Sequence, residues 1–325
     1  MAQCNIKSYL RPGGGDSPYL EGPIEGPLSC SFEHRSDRRE VVNIIHYQDP
    51  IYKNQMTLSV DGVVLDFYEV YDLARAHLKI MLNQLMNHDD VVVVSWTNTT
   101  PGTFYEQFSV RLSDGGSFWI GISLNGKTIS WDRCRLEFNP NKIGNHPVFS
   151  RILGYLHTRT SVSKRRIARF DLAIDIPVDR TYCFLVKDRR LYIERRHGRE
   201  YTQYLGAKSS SVGRVKLYNK AIESSLDYPL TRLELTLDPL LPYEKLNFPE
   251  VYYFDSKTVC SDGTKVTDTE RFILNALLQG YGTLNDLGRK SRDKIRRLMT
   301  QHVKRVEISE TDYEAVLSQL QTYIR

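Results

Sequence analysis

The sequence V-G-R-V-K-L-Y-N-K-A-I-E at residues 212–223 alternates polar and apolar side chains with a period of two, as a β-strand does. Arg214, Lys216, Tyr218 and Lys220 fall on one face of this strand, and apolar residues dominate the other face. One interpretation is an edge strand, where lysines discourage pairing between molecules. The other is a functional surface on which a phenol is surrounded by cations. The side chains on the neighbouring strands distinguish these two interpretations.

Three other segments share a charge pattern in which an arginine and an acid flank one apolar residue. They are R-L-E at 135–137, R-F-D at 169–171 and R-L-E at 232–234. On a strand, this spacing puts the arginine and the acid on one face and the apolar residue on the other. The sequence therefore predicts a sheet with an apolar core face and an opposite face that gathers carboxylates.

The acids of these segments are candidate ligands for Mg²⁺ or Mn²⁺: Glu137, Asp171 and Glu234, with Asp175 as a reserve ligand. Carboxylates on neighbouring strands, which lie about 4.8 Å apart, can share one hard cation through their oxygens. Asp171 and Asp175 are about 13 Å apart on an extended strand, so they share an ion only if a bulge intervenes. The alternative is a set of cross-strand Arg–carboxylate pairs on a solvated face, each contributing roughly a few tenths of a kcal/mol.

A metal site beside Tyr218 would suit an enzyme that catalyses phosphodiester transesterification. The metal would polarise the scissile phosphate, and Lys216 and Lys220 would act as catalytic residues that add positive charge. A phenol has a pKa of about 10 and attacks as the phenolate, so nearby cations favour the nucleophilic form. Attack leaves the protein on a 5′-phosphate and releases a 3′-OH. The phosphotyrosine bond then keeps the energy needed for strand joining.

The composition argues against several other classes of site. The five cysteines are odd in number, scattered and without a C-x-x-C pair, so neither a disulfide framework nor a zinc site is indicated. None of the eight histidines occurs in an H-x-H or H-E-x-x-H pattern. No apolar run approaches the ~18 residues of a membrane span, so we expect a cytoplasmic protein with no membrane partner. The net charge of +5 permits a polyanionic partner without requiring one.

Composition also divides the chain into three parts. Residues 1–38 are rich in Gly and Pro, which predicts a flexible tail. Residues 39–260 hold the strand patterns of a sheet-based catalytic domain, and residues 261–325 form a predicted helical, basic DNA-recognition segment. The fold class is therefore α+β: a largely antiparallel, nuclease-like sheet domain with flanking helices, plus a C-terminal helical segment.

Two local patterns in the N-terminal half predict further elements. Residues 55–67 alternate like a hairpin around the turn pair Asp61-Gly62. Residues 71–88 have the period of an amphipathic helix. The apolar stripe expected on that helix includes Leu73, His77, Ile80 and Leu85.

The C-terminal segment has helix signals and a strong positive charge. Thr267 and Glu270 have the spacing of a capping box. Residues 289–305 contain eight Lys or Arg residues against one acid, Asp293. With apolar residues on one helical face and cations on the other, the pattern fits an ordinary solvated helix. A surface that contacts the phosphates of duplex DNA is the alternative. The predicted DNA-binding residues are Arg289, Lys290, Arg292, Lys294, Arg296 and Arg297.

Another basic run, at 187–199, allows two interpretations. It either guides a nicked single strand or solvates a hairpin.

Five motifs occur in a fixed order along the chain. They are R-L-E-F-N-P-N-K (135–142), R-F-D-L-A-I-D (169–175), Y-L-G-A-K-S-S (204–210), R-V-K-L-Y-N-K (214–220) and R-L-E-L (232–235). In this order they resemble the Rep_trans-type rolling-circle replication initiators of small staphylococcal-type plasmids. The resemblance runs from about residue 133 to about residue 297. Residues before about 130 match only loosely, and Lys216-Leu217 stands where the family pattern has Arg-Ile.

The resemblance implies a role for each motif. Tyr218 corresponds to the nicking nucleophile, and the acids that follow the arginines correspond to the divalent-metal site. The family is similar in sheet architecture to the His-hydrophobe-His endonucleases, with acids in place of the histidine pair. It further implies nicking of supercoiled DNA at a hairpin origin, a homodimer, and recruitment of a host replicative helicase.

The expected function is therefore that of a plasmid replication initiator with metal-dependent DNA nicking and joining activity. A conjugative relaxase or phage initiator of the same family would perform the same chemistry at a different origin. A DNA-binding regulator whose acidic sheet face is only structural is the alternative from a different class.

Overall fold

The computed structural model describes residues 55–98, 104, 106–123, 133–198, 200–207, 213–255 and 266–325. The Gly/Pro-rich segment 1–38 lies outside these ranges. Within them, the apolar alternation forms an antiparallel sheet of ten strands in the order β2-β3-β4-β5-β1-β6-β11-β10-β9-β8. A smaller sheet has the order β13-β12-β7. The predicted combination of helices with an antiparallel sheet is confirmed.

The strands have the following bounds. The large sheet contains β1 (Thr57–Phe67), β2 (Val91–Asn98), β3 (Glu106–Leu112), β4 (Ser117–Ile122), β5 (Cys134–Phe138), β6 (Arg165–Ile176), β8 (Tyr192–His197), β9 (Glu200–Leu205), β10 (Val215–Asn219) and β11 (Thr231–Leu237). The small sheet contains β7 (Cys183–Leu185), β12 (Val251–Phe254) and β13 (Val303–Arg305).

Seven α-helices lie within the described residues. They are α1 (Asp72–Gln84), α2 (Pro140–Ile143), α3 (Pro147–Arg159), α4 (Lys220–Glu223), α5 (Asp268–Leu278), α6 (Arg289–Gln301) and α7 (Glu310–Leu320). Thr267 and Glu270 form the predicted capping box at the start of α5. None of these helices is long and apolar enough to cross a membrane.

The hairpin predicted around Asp61-Gly62 is wrong, because β1 is one continuous strand. It pairs with β5 on one side and β6 on the other, and its register with β6 shifts between Val60 and Gly62. Val60 and Val63 both face the core, although residues i and i+3 of a regular strand point to opposite faces. A β-bulge restores the alternation after an extra residue, and the same Asp-Gly pair suits a bulge as well as a turn. Alternation alone does not distinguish these outcomes.

The main core lies on one face of the ten-stranded sheet. Apolar side chains from the strands pack there against α1, α3 and α7. The stripe expected on α1 is partly wrong, since Leu73 is 85% exposed and Ile80 is 54% exposed. The helix instead buries Leu78, Met81 and Leu82. Both stripes have helical spacing, and tertiary packing selects the one that is buried.

The C-terminal residues contribute to two cores. Leu274 of α5 and Ile295 and Leu298 of α6 pack with Phe184 and Phe254 of the small sheet. The last helix, α7, packs instead in the main core. Residues 266–325 therefore contribute to two parts of the molecule. The helices α5 and α6 form a small module with the three-stranded sheet, whereas α7 belongs to the helical layer beneath the large sheet.

Candidate functional site

The face of the large sheet opposite the main core brings Tyr218 together with two of the predicted acids. The strands β10, β11 and β6 are consecutive neighbours. In their register, Lys216 is opposite Glu234, and Thr236 is opposite Asp171. Period-two alternation places these side chains on one face, which we call the open face.

The hydroxyl of Tyr218 lies between two carboxylates. Its oxygen is 2.5 Å from Glu234 Oε1 and 3.0 Å from Glu223 Oε2. A phenol has one proton, so it donates to the nearer acceptor, Glu234. Tyr218 is only 5% exposed. Burial, followed by the charges of Glu234 and Glu223, raises the pKa of Tyr218 far above its usual range. The phenol is therefore protonated and hydrogen-bonded to a ready acceptor.

The two predicted catalytic lysines lie on different sides of the phenol. Lys216 Nζ is 3.6 Å from the centre of the Tyr218 ring and 3.4 Å from Glu234 Oε2. Lys220 is 2% exposed, begins α4, and donates to Glu223 Oε2 at 2.5 Å. Burial lowers the pKa of Lys220. Lys216 thus contacts the phenol directly, whereas Lys220 reaches it through Glu223.

Asp171 and Glu234 are the two predicted ligands that suit a shared cation. They lie on adjacent strands in diagonal positions, because Glu234 is opposite the small residue Ala173. Burial raises the pKa of both carboxylates. A nearby cation would offset this cost of burying their charge. Mg²⁺ is often held by one or two carboxylates, with water and substrate phosphate as the other ligands.

The other two predicted ligands do not join that pair. Both oxygens of Asp175 accept hydrogen bonds from Arg232, at 2.6 and 2.7 Å, in a position that is 1% exposed. Glu137 forms an ion pair with Arg169 at 3.7 Å. It lies on β5, three strand spacings or about 14 Å from Glu234. Across the described ranges, no three His, Cys, Asp or Glu side chains form a group suited to one ion. The prediction that all four acids form one site is therefore wrong, and Asp171 and Glu234 are the two that lie on adjacent strands.

Two acids at the site had not been predicted. Glu223 contacts the phenol from α4, whose short helix begins because Asn219 accepts from the backbone N–H of Ile222 at 2.9 Å. Asp61 projects from the β1 bulge and accepts from Arg232 at 2.7 Å and Asn139 at 2.9 Å. The interrupted alternation around Asp61 was a signal for that bulge. No comparable signal marked Glu223.

Asp61 is also the acid most clearly held in its charged form. Burial alone would raise the pKa of Asp61, but the charges of Arg232 and Lys220, with hydrogen bonds, lower it to about 2. Its negative charge in turn contributes to the raised pKa of Asp171 and Glu234. The bulge thus brings a permanent negative charge close to the carboxylate pair.

Aromatic and cationic side chains extend the open face beyond Tyr218. Tyr204 on β9 is opposite Lys216 in the register. The guanidinium groups of Arg195 and Arg214 lie 5.7 and 4.8 Å from the Tyr204 ring centre. Aromatic rings combined with arginines are typical of surfaces that bind single-stranded nucleic acids. We call Arg195, Tyr204 and Arg214 the tyrosine platform.

The six residues predicted to bind duplex DNA have different environments on α6. Arg289, Lys290, Arg296 and Arg297 are exposed. Arg292 instead donates to the carbonyl of Leu287 at 3.1 Å, and Lys294 forms an ion pair with Glu270 of α5. Arg292 and Lys294 therefore help to join α6 to its own module. The other four side chains face solvent, and one of them, Arg296, lies 3.5 Å from Asp293 in an ion pair.

A comparison with solved structures gives a distant likeness. No family model matches the chain, and no curated protein matches it. The chain is similar in structure to the rolling circle replication initiator protein from Geobacillus stearothermophilus, with 12% identity and a TM-score of 0.33. The match covers 82% of this chain and 97% of that chain. Likeness at this level carries no weight for function, which therefore has to be inferred from the side chains.

Proposed function

We propose that this protein nicks and rejoins DNA at a plasmid origin through a phosphotyrosine intermediate and thereby initiates rolling-circle replication. The observation that supports this most is the hydrogen bond from Tyr218 to Glu234, which pairs a nucleophile with a base. Lys216 lies against the same phenol. The ordered motifs of the chain support the choice of DNA as substrate.

The chemical step follows from these contacts. Glu234 Oε1 accepts the phenolic proton, and Tyr218 Oη attacks the scissile phosphorus. The bond from phosphorus to the 3′-oxygen breaks, that oxygen takes up a proton, and the 5′-phosphate remains esterified to Tyr218. Strand joining is the same sequence in reverse. A general base has to lie within hydrogen-bond reach of the proton that it removes, and Glu234 already accepts the hydrogen bond from Tyr218.

Lys216 and Glu223 have opposite effects on this step. Lys216 stabilises the negative charge that develops on Tyr218 and on the phosphate. Glu223 contacts the same phenol, and its carboxylate would repel an incoming phosphate. Its side chain is 45% exposed, and its carboxylate is also paired with the buried Lys220.

Asp171 and Glu234 would hold Mg²⁺ or Mn²⁺, which when bound neutralises charge on the scissile phosphate. The exposed cations of α6 would bind the origin duplex. By resemblance to the Rep_trans initiators, we further propose a cytoplasmic homodimer that recruits a host replicative helicase.

The nucleophile is tested by incubating the protein with supercoiled plasmid carrying its origin and Mn²⁺. We expect nicked plasmid with a protein adduct that resists SDS, and no adduct with Tyr218→Phe. Tyr204→Phe is the matched control, because it removes a nearby phenol and should retain the adduct. Full nicking by Tyr218→Phe would overturn the assignment. Origin binding by the wild type without any nicking would instead support a DNA-binding regulator.

The carboxylate pair is tested by following the melting temperature of the protein as Mn²⁺ is added. Wild-type protein should be stabilised, because an ion that binds only the folded state shifts the unfolding equilibrium. Asp171→Asn should lose this shift and lose nicking, while it keeps duplex binding. Glu137→Gln should respond to Mn²⁺ like the wild type, since Glu137 is paired with Arg169 and lies two strands from Asp171. Loss of the shift in Glu137→Gln alone would contradict the two-carboxylate site.

A further inference from the structure

A groove on the open face adjoins the carboxylate pair on the side away from Tyr218. It has a volume of about 510 Å³ and spans strands β3, β4, β5, β1 and β6. Asp61 and Asp171 line one end of it. The groove therefore continues from the proposed reaction centre rather than forming a separate cavity elsewhere on the protein.

The side chains of the groove suit a nucleotide. Arg111, Lys142 and Arg169 line it together with Trp119. Arg111 and Lys142 are exposed, and no ion pair involves either of them among the described residues. Cations bind the phosphates of a single strand, and an aromatic side chain stacks on a base. This combination of charge and aromatic surface fits a single-stranded DNA segment.

Trp119 is held in place before any ligand binds. Its ring packs edge-to-face on Phe104, with the centres 5.5 Å apart. It also lies directly over Gly121, where a Cβ atom would approach Trp119 Cη2 to 2.4 Å. A glycine at this position therefore leaves room for the indole against the backbone. An aromatic side chain that is already ordered loses little conformational freedom when a base stacks on it.

The order of strands relates this groove to one side of the scissile phosphate. Tyr218 on β10 points towards Glu234 on β11, and Asp171 on β6 lies one strand further on. In an in-line displacement, the attacking and leaving oxygens lie on opposite sides of phosphorus. A phosphate bound over the carboxylate pair therefore directs its leaving 3′-oxygen away from β10, towards β1 and the groove.

We propose that this groove binds the nucleotide that carries the leaving 3′-oxygen and retains the 3′-OH end of the strand after nicking. This assignment rests on the proposed nicking function. The fragment that begins with the 5′-phosphate stays covalently bound at Tyr218 and extends over the tyrosine platform. Because the groove keeps the 3′-OH beside the phosphotyrosine, the strand is positioned for rejoining.

The polarity is tested by photocrosslinking the full-length protein to an oligothymidylate octamer labelled with 5-iodouracil at one end. A label on the 5′-terminal nucleotide should crosslink to Trp119, and a label on the 3′-terminal nucleotide should crosslink to Tyr204, because the strand runs 5′ to 3′ from the groove to the tyrosine platform. Peptide mass spectrometry identifies each adduct. A missing Trp119 adduct, or equal Trp119 adducts from both labels, overturns the proposal.

Binding measurements on variants provide a second test. Trp119→Ala should weaken binding of the octamer roughly 5- to 100-fold, the loss typical of one stacked base. Lys142→Gln changes only an exposed side chain, so it tests the groove even if Trp119→Ala does not fold. Arg151→Gln on α3, exposed on the helical side of the sheet, is the matched control and should bind normally. If Trp119→Ala does not fold, the conservative Trp119→Phe takes its place. The proposal that the groove binds DNA is overturned if both the Lys142 variant and the Trp119 variant bind the octamer as tightly as the wild type.

The outcomes separate the groove from the proposed function. If Tyr218-dependent nicking is observed without the end-specific crosslinks, only the proposed role of the groove is overturned. If the end-specific crosslinks are observed without nicking, the proposed enzyme is overturned, and the groove remains a binding site for single strands.

Discussion

Arg232 is the side chain that orders the charges beneath the proposed reaction centre. It is 0% exposed and binds Asp175 on β6 and Asp61 in the β1 bulge. A buried guanidinium needs such partners, because an unpaired buried charge costs several kcal/mol. Tyr218 is its cross-strand neighbour on β10. The Arg-x-Glu pattern at 232–234 thus serves two purposes, with the arginine organising the buried charges and the acid contacting the phenol.

Asp61→Asn should cost about 2 kcal/mol of unfolding free energy at pH 7, from the lowering of its pKa from 3.8 to about 2. A lowered folded-state pKa adds stability that is fully present above about pH 4 and is lost as the pH falls towards 2. The difference between wild type and variant should therefore shrink between pH 7 and pH 3 in urea titrations. Asp89→Asn, on the exposed turn before β2, is the control. An equal difference at both pH values would contradict this role of Asp61.

The bulge in β1 is the element that shapes the acidic part of the site. It allows Val60 and Val63 to face the core while Asp61 and Gly62 lie on the open face. Gly62 is opposite Asp171, and a Cβ atom at position 62 would lie 2.6 Å from Asp171 Oδ2. The absence of a side chain at Gly62 therefore provides the space that the Asp171 carboxylate occupies.

Gly62→Ala should displace the Asp171 carboxylate and slow nicking by roughly 100-fold, the effect of about 1 Å of misplacement at a reaction centre. Gly154→Ala is a matched control in α3, where a new Cβ atom meets nothing within 4 Å. It should leave nicking unchanged and preserve or raise the melting temperature, because alanine favours a helix over glycine. Both variants are compared by nicking rate and thermal unfolding. Wild-type nicking by Gly62→Ala would show that Asp171 does not need its observed position.

At the scale of the whole molecule, the proposed chemistry and the proposed duplex binding lie on different cores. The open face belongs to the ten-stranded sheet, whereas α6 packs with α5 and the small sheet. The chain crosses between them through β7 and β12 and returns to the main core with α7. This arrangement allows duplex binding to be changed without disturbing the Tyr218 site.

Lys290→Gln combined with Arg297→Gln should weaken duplex binding and reduce the slope of log K against log salt by about 2, since each phosphate contact contributes roughly 0.9. Both side chains are exposed, and among the described residues neither forms an ion pair. Fluorescence anisotropy at several salt concentrations measures the slope. Single-stranded nicking should stay close to wild type, and Arg151→Gln should keep the original slope. An unchanged slope in the double variant would remove α6 from the duplex contacts.

The sequence by itself determined the strands around Tyr218, the face that their side chains take, and where several helices begin. Alternation placed Tyr218, Lys216, Glu234 and Asp171 on one face, because successive side chains of a strand point to opposite sides. The capping box at Thr267 is likewise a local interaction between residues three positions apart. These features depend on neighbours along the chain, so the sequence contains them directly.

Only the tertiary structure decided which strands are neighbours. β6 pairs with β1 and β11, which are distant from it in sequence, and this order puts Asp171 beside Glu234 while it leaves Glu137 remote. It also commits Asp175 to Arg232 and opens the groove beyond the carboxylate pair. A period of two specifies a face but not a partner strand, because pairing depends on the packing of the whole core. The face on which each site residue lies thus follows from the local sequence, whereas the distances between these residues follow from the tertiary pairing of the strands.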